Sequence, residues 1–291
     1  MATLRELKGR IGSVASSEKI TGAMKMISSA KMHKAELDLK RLLPFRRQIE
    51  TILGNLLSAD AEFYSPLTTP RDVHSVGLVV FGSDDGLCGA FNVNIFKALL
   101  ARISEIRRGH ADLKVVVYPV GKKMEKAVAK IVGDGVEMKT EIGVDSKSTG
   151  DAVKIFLEQL RDDFTDGKLD LVEFMYMNFK SVSRQTLTTQ QVLPIVQSSF
   201  QAEDAASCRP YIFEPDAQSI FTAVLPLFLL ASAQEIFTES RASEQAARVM
   251  AMQSANDNAK KLLDELQLEY NKLRQQSITT ELLDILGGQV R

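Results

Sequence analysis

Asn256-Asp-Asn-Ala-Lys-Lys-Leu-Leu-Asp-Glu-Leu-Gln-Leu-Glu-Tyr-Asn-Lys-Leu273 decides how this chain is built. Asn256, Ala259, Leu263, Leu266, Tyr270 and Leu273 follow alternating steps of three and four, the spacing that keeps one helix face toward a partner helix. The same register runs back through Ala242, Gln245, Val249 and Met252 and forward to Ser277. Gln245, Asn256 and Ser277 stand where a zipper takes Leu, so the seam is weak; polar seam residues set register or leave a helix responsive to a larger partner. No Pro or Gly lies between Pro226 and Gly287, which predicts helix over about 60 residues, or ~90 Å. Glu214, Pro215 and Asp216 mark its start, with proline at the first helical position and acids in the first turn, and Pro226 is expected to kink it.

The other end of the chain has the same habit. Ile20, Ala23, Ile27 and Ala30, then Leu42, Phe45, Ile49, Ile52 and Leu56, repeat at helical spacing. Gly9, Gly12, Gly22 and Pro44 all weaken this helix, Gly by ~1 kcal/mol each, so it needs a tertiary partner. Residues 1–58 carry 11 Lys/Arg against 5 Asp/Glu, and residues 211–291 carry 7 against 11. Opposite net charge favours pairing of the two ends.

Between them the pattern changes to alternating strand and helix. Strands are expected at 75–81, 113–118, 169–178 and 186–193, with helices at 94–107, 122–132 and 149–164. That order predicts an α/β fold with an open, largely parallel, Rossmann-like sheet covered by helices on both faces. The expected organisation is an N-terminal coiled-coil helix (1–58), a central α/β domain (70–205) and a C-terminal helix (211–291) pairing antiparallel with the first. Residues 196–210, polar and small, read as an exit linker.

Composition excludes several classes. Apolar residues at 45% and charged ones at 25% suit a folded soluble chain. The most apolar stretch, 220–230, is interrupted by Thr222 and Pro226 and is shorter than the ~20 residues a bilayer crossing needs. The start resembles neither a signal peptide nor a transit peptide, so a bacterial cytoplasmic setting is expected. Cys88 and Cys208 imply no disulfide framework, and His33, His74 and His110 show no metal-ligand spacing. Lys19, Lys25, Lys31 and Lys34 form a basic stripe with no aromatic residue before Phe45 to stack on bases, so an acidic protein partner suits it better than nucleic acid.

One loop looks chemical: Gly82-Ser-Asp-Asp-Gly-Leu-Cys-Gly89, where a doubly wound sheet places its first ligand-binding turn. It lacks the spacing and lysine of a Walker A loop and matches neither G-x-G-x-x-G nor G-x-S-x-G, and two aspartates repel phosphate. Glycine turns also arise for backbone reasons alone. Cys88 beside two acids is poorly placed to form a thiolate, although a helix start, or His74 or His110 brought near in space, keeps a cysteine-dependent enzyme as an alternative.

Ile20-Thr-Gly-Ala-Met-Lys-Met-Ile-Ser-Ser-Ala-Lys-Met32, Ser83-Asp-Asp-Gly-Leu-Cys-Gly-Ala-Phe-Asn92, Ser243-Glu-Gln-Ala-Ala-Arg-Val-Met-Ala-Met-Gln-Ser-Ala-Asn-Asp-Asn258 and Leu268-Glu-Tyr-Asn-Lys-Leu-Arg-Gln-Gln-Ser-Ile-Thr-Thr-Glu-Leu282 together resemble the γ subunit of F-type ATP synthases over nearly the whole chain. It departs from that family at Gly22, where lysine is common, and at Asp85, where arginine is usual. It also lacks the cysteine-pair insertion of chloroplast relatives. The resemblance implies a non-catalytic central rotor shaft inside three α and three β subunits, with the ε subunit and the membrane c-ring as further partners. It implies a peripheral position on the cytoplasmic face of the bacterial inner membrane, and no cofactor or metal. It further implies coupling contacts to β at Met24, Lys25, Arg274, Gln275, Thr279 and Glu281, with Lys19 beside the first pair. An apolar bearing would comprise Ile278, Leu282, Leu283, Ile285 and Leu286, and foot contacts Tyr211 and Phe213. A self-pairing coiled-coil scaffold is the third reading.

Overall fold

The computed structural model describes residues 3–57, 63–109, 113–133, 135–196, 200 and 213–288. Its elements run α1 (Leu4–Leu57), β1 (Ser75–Phe81), α2 (Phe91–Gly109), β2 (Lys114–Val120), α3 (Lys122–Val128), β3 (Val136–Met138), α4 (Asp151–Thr165), β4 (Leu171–Ser181), β5 (Arg184–Leu193) and α5 (Ala217–Gly288). The chain divides into two compact units, one of Met1–Ser29 with Arg248–Arg291, the other of Ala30–Ala247, and the two long helices contribute to both.

In the larger unit the strands stand in the order β3-β2-β1-β4-β5. The first four are parallel, and β5 pairs antiparallel with β4. All seven residues of β1 are buried, as a strand covered on both faces must be. Alternate residues serve opposite layers. Val79 and Phe81, with Val116, Tyr118, Phe174 and Tyr176, meet α4 and the adjoining parts of α1 and α5. Val76, Leu78 and Val80, with Val115, Val117 and Met175, meet α2 and α3. Phe81 sets its ring edge-on to Phe237 of α5, centroids 4.7 Å apart. Part of α5 is apolar and long enough to cross a membrane by composition; here the 220–230 stretch places Phe221, Leu225, Phe228 and Leu229 in the first of these layers.

Within this unit α1 and α5 run antiparallel, since Arg46 meets Glu235 while Tyr64, beyond α1, meets Gln218. Ser243 Oγ of α5 donates to the Met177 carbonyl of β4 at 2.8 Å, fixing the helix to the sheet. Phe200, within the expected linker, is buried against the Phe228 ring at 5.0 Å; most of 196–210 lies outside the described residues.

In the smaller unit α1 begins with a reciprocal capping box. The Thr3 amide donates to Glu6 Oε2 at 2.9 Å, and the Glu6 amide to Thr3 Oγ1 at 3.3 Å. The α5 seam follows the sequence register: from 257 to 286 the positions that are buried or half-buried are Ala259, Leu263, Leu266, Tyr270, Leu273 and Ser277. Asn256 is the latch. Its Nδ2 donates to the Glu18 carbonyl at 2.7 Å and to Thr21 Oγ1 at 3.3 Å, and a side chain at Gly22 would put Cβ 3.3 Å from the same nitrogen.

Four expectations are corrected. The α1 seam is Leu4, Leu7, Ile11, Val14, Glu18, Thr21, Lys25 and Ser28; Ile20 and Ile27 are 59% and 56% exposed, and Ala23 and Ala30 are exposed with them. From 18 to 28 the sequence stripe marks the outward face, because there the inward positions are the polar Glu18, Thr21, Lys25 and Ser28, with Asn256 bonded to the first two. Asp216, not Pro215, adjoins the start of α5, with Oδ1 accepting the Ser219 amide at 2.8 Å; that bond and the Ser219 hydroxyl lower its pKa. Helix α2 starts at Phe91 and α3 stops at Val128. β3, three residues long, left no periodic signal.

Candidate functional site

The Gly-rich loop was the one place with chemical promise, and its polar atoms are spent internally. Ser83 is fully buried. Its amide donates to Asn92 Oδ1 at 3.0 Å, its hydroxyl to the Asp85 carbonyl at 2.7 Å, and it accepts from Asn92 Nδ2 at 2.7 Å. Asp84 accepts the Lys122 amide at 3.1 Å and the Ser146 hydroxyl at 2.8 Å, while Asp85 pairs with Lys147 at 3.3 Å. A Cβ at Gly82 would fall 2.5 Å from Met124 Cβ, and one at Gly121, at φ +96°, would fall 2.9 Å from the Gly82 carbonyl oxygen, closer than a Cβ permits. The glycines thus serve close packing.

Cys88 is buried, with Asn92 Nδ2 at 3.3 Å and Ser83 Oγ at 3.6 Å from its sulfur. These are neutral amide and hydroxyl neighbours, not the cations that make a thiolate. His74 precedes β1 and Cys88 follows it, so the seven-residue strand, ~23 Å long, separates them. His110 and Cys208 lie outside the described residues. Among the described residues no group of three His, Cys, Asp or Glu side chains is arranged to hold a metal.

The residues singled out by resemblance have a different character. Met24 and Lys25 are half-buried on α1, near the Asn256 latch, and Lys19 is exposed. Arg274, Gln275, Thr279 and Glu281 are exposed on α5. Arg274 stands 18 residues beyond Asn256, ~27 Å along the helix. The structure therefore does not gather these residues into one site; it strings them along a pair of helices. Thr279 Oγ1 returns a hydrogen bond to the Gln275 carbonyl at 2.9 Å, and Ser277 Oγ reaches Glu281 Oε1 at 3.4 Å, leaving the rest of these side chains to solvent.

Ile278, Leu282, Leu283, Ile285 and Leu286 are 47–64% exposed at the end of α5. Positions 278, 282 and 285 share one helix face, flanked by 283 and 286, so the helix ends in an apolar patch with no cover from the described residues. Phe213 packs half-buried against the sheet-side core; Tyr211 lies outside the described residues. The outward α1 stripe of Ile20, Ala23 and Ile27, with Met26 68% exposed beside it, is a second exposed apolar surface, on positions whose helical spacing reads in the sequence as a pairing face.

The family model described as ATP synthase matches residues 3–290. The chain is 42% identical over 297 residues to the ATP synthase gamma chain of Bacteroides fragilis, with all of both chains covered. Among solved structures, it is similar at a TM-score of 0.63 and 20% identity to a chain of the Euglena gracilis mitochondrial ATP synthase, solved as OSCP/F1/c-ring in rotational state 3, over 98% of this chain and 93% of that one. A chain of the Tetrahymena thermophila mitochondrial ATP synthase central stalk and c-ring matches at a TM-score of 0.58 and 22% identity, over 81% of this chain and 99% of that one. At those identities the structures speak to the fold.

Proposed function

We infer the role of this chain from a plain premise: it belongs to the ATP synthase gamma-chain family. It is a subunit of a membrane-associated ATP synthase and serves as its rotor shaft, coupling turning of the membrane ring to ATP synthesis and, in reverse, to hydrolysis. The shaft is itself non-catalytic, and the bond chemistry belongs to the β subunits around it. Three α and three β subunits surround the paired helices, ε and the c-ring bind toward the foot, and the complex sits on the cytoplasmic face of a bacterial inner membrane.

The observation that carries this reading is the contrast in exposure. The loop that could have been an active site is closed on itself, whereas the helix pair of the smaller unit displays apolar groups outward on α1 and at the end of α5. Contiguous exposed apolar surface of this kind marks a site of interaction with a partner. The faces also differ in residue content, since α1 exposes Ile20, Met26 and Ile27 while α5 exposes Leu262 and Leu268 among Asp264, Glu265 and Glu269. A shaft with unlike faces cannot touch three identical neighbours equally. Each rotary position gives them different contact energies, and a conformational equilibrium shifts only by such a difference.

In this role Met24, Lys25, Arg274, Gln275, Thr279 and Glu281 are the coupling contacts to β, the exposed 278–286 residues form the apolar bearing, and Tyr211 and Phe213 contact ε or the ring. Met24→Lys tests the first of these. It adds a cation beside Lys19 and Lys25 facing an acidic partner, and ~1.4 kcal/mol in favour of one rotary position slows escape from it about tenfold. ATP hydrolysis in membrane vesicles should persist while acidification per ATP falls. An unchanged ratio would leave Met24 as packing. Native mass spectrometry of the extracted complex tests the assembly, and recovery of this chain apart from α and β would refute the shaft.

A further inference from the structure

Two carboxyl groups lie one turn apart on α5 inside the larger unit. Glu235 and Glu239 are 7% and 8% exposed. Glu235 accepts the Arg46 guanidinium of α1, which also binds Glu50 at 2.8 Å. Glu239 has no such cation bonded to it. From β4 it receives Asn178 Nδ2 at 2.9 Å, with Tyr176, whose hydroxyl donates to Gln190 at 3.1 Å, beside it and Lys180 acting at longer range. A second observation concerns the same contact: Asn178 Oδ1 is buried and has no hydrogen-bond partner among the described residues.

A carboxylate answers one half of an amide and leaves the other half empty. A carboxylic acid answers both, because its carbonyl accepts from Nδ2 while its hydroxyl donates to Oδ1. We propose that Glu239 is held as the neutral acid in a two-point pair with the Asn178 amide, so that the docking of α5 on β4 carries a bound proton. The electrostatics agree. Burial, then the charge of Glu235, push the Glu239 carboxyl up to about 7, against the weaker pull of Lys180, Arg46 and Tyr176. Two buried like charges one turn apart favour keeping one of them neutral. Glu235 has Arg46 to balance it, so the proton belongs to Glu239.

The sign follows from linkage. An acid whose folded-state pKa is raised binds its proton more tightly folded than unfolded, so its contribution to stability is full below the ordinary glutamate range and is lost as pH rises through about 7. Mildly acid conditions thus tighten the root of α5 on the sheet and mildly alkaline ones loosen it. This role is independent of the coupling contacts to β.

Glu239→Gln is the test, because glutamine keeps the shape and donates an amide hydrogen to Asn178 Oδ1 at every pH. Urea unfolding of the full chain, wild type and variant, is followed from pH 5 to pH 8. The ratio of variant to wild-type folding constants should rise by close to tenfold per pH unit below pH 7 and then level off; a ratio that stays flat overturns the proposal. Should the variant not fold, carbon-13 labelling of the glutamate carboxyls in the wild type answers the question instead. One carboxyl should titrate near pH 7, with a lower midpoint in Glu235→Gln. If every glutamate titrates in the ordinary carboxylate range, the proposal fails.

Discussion

The loop after β1 and the end of α5 are opposite solutions to the same accounting problem. Around Ser83 the polar donors and acceptors find partners within the loop, Asn92, Lys122 and Ser146, and the space beside Gly82 is filled by Met124. At 278–286 the helix satisfies its own backbone but leaves five large apolar side chains mostly exposed. The first region closes on itself within one chain; the second leaves apolar surface with no cover from the described residues. Conspicuous residues can therefore mislead, since the glycines and the cysteine of the turn serve packing and internal hydrogen bonds, while plain leucines on a helix carry the exposed apolar surface.

The comparison breaks first if the sheet side is not self-sufficient. Phe156→Ala removes a ring buried to 1% exposure between Tyr118 and Phe237, and ~3–5 kcal/mol should be lost in denaturant melts of the isolated chain. A loss under ~1 kcal/mol would mean that this core also waits for partners. Next, Arg274→Ala with Gln275→Ala should cost ~1.5–3 kcal/mol in turnover of the assembled complex, the scale of a charged hydrogen bond, with less effect on assembly. Full turnover from a poorly assembled complex would make the pair anchors instead.

Asn256→Ala comes third, at ~1–2 kcal/mol, because it removes the amide that ties α5 to the Glu18 carbonyl and Thr21 hydroxyl of α1. Hydrogen exchange at α1 amides near position 18 should rise, and unchanged protection would show that the seam holds without its latch. The smallest effect sharpens the contrast most. Leu282→Ser, Leu283→Ser and Ile285→Ser combined should change the stability of the isolated chain by no more than ~0.5 kcal/mol, as for surface positions, yet weaken function in the complex. Strong destabilisation of the free chain would show that the patch is already buried.

The α5 seam was legible because burial on a paired helix recurs at the period of its apolar residues, and 259–277 followed it position by position. The same rule failed on α1, where Ile20, Ala23 and Ile27 are as periodic as a seam but face outward; period reveals a face and not what covers it. The sheet was legible from its apolar runs, apart from β3, which is shorter than one alternation. Arg274 and Gln275 could be singled out only by resemblance, since an exposed side chain on a lone helix has no geometry to read. The cluster of Arg46, Asn178, Glu235 and Glu239 had no signal in the sequence, because its parts come from α1, β4 and α5 and are joined only by folding.

The latch at Asn256 also bears on how such chains diverge. The nitrogen grips the main-chain oxygen of residue 18, not its side chain, so the bond itself does not depend on which amino acid stands at 18. Position 22 has no such freedom, because whatever grows there presses on the same nitrogen at 3.3 Å. Substitutions at 22 and 256 should therefore be inherited together: a lineage that acquires a side chain at 22 should shift or replace the asparagine at 256, whereas a change of side chain at 18 leaves that bond's acceptor in place.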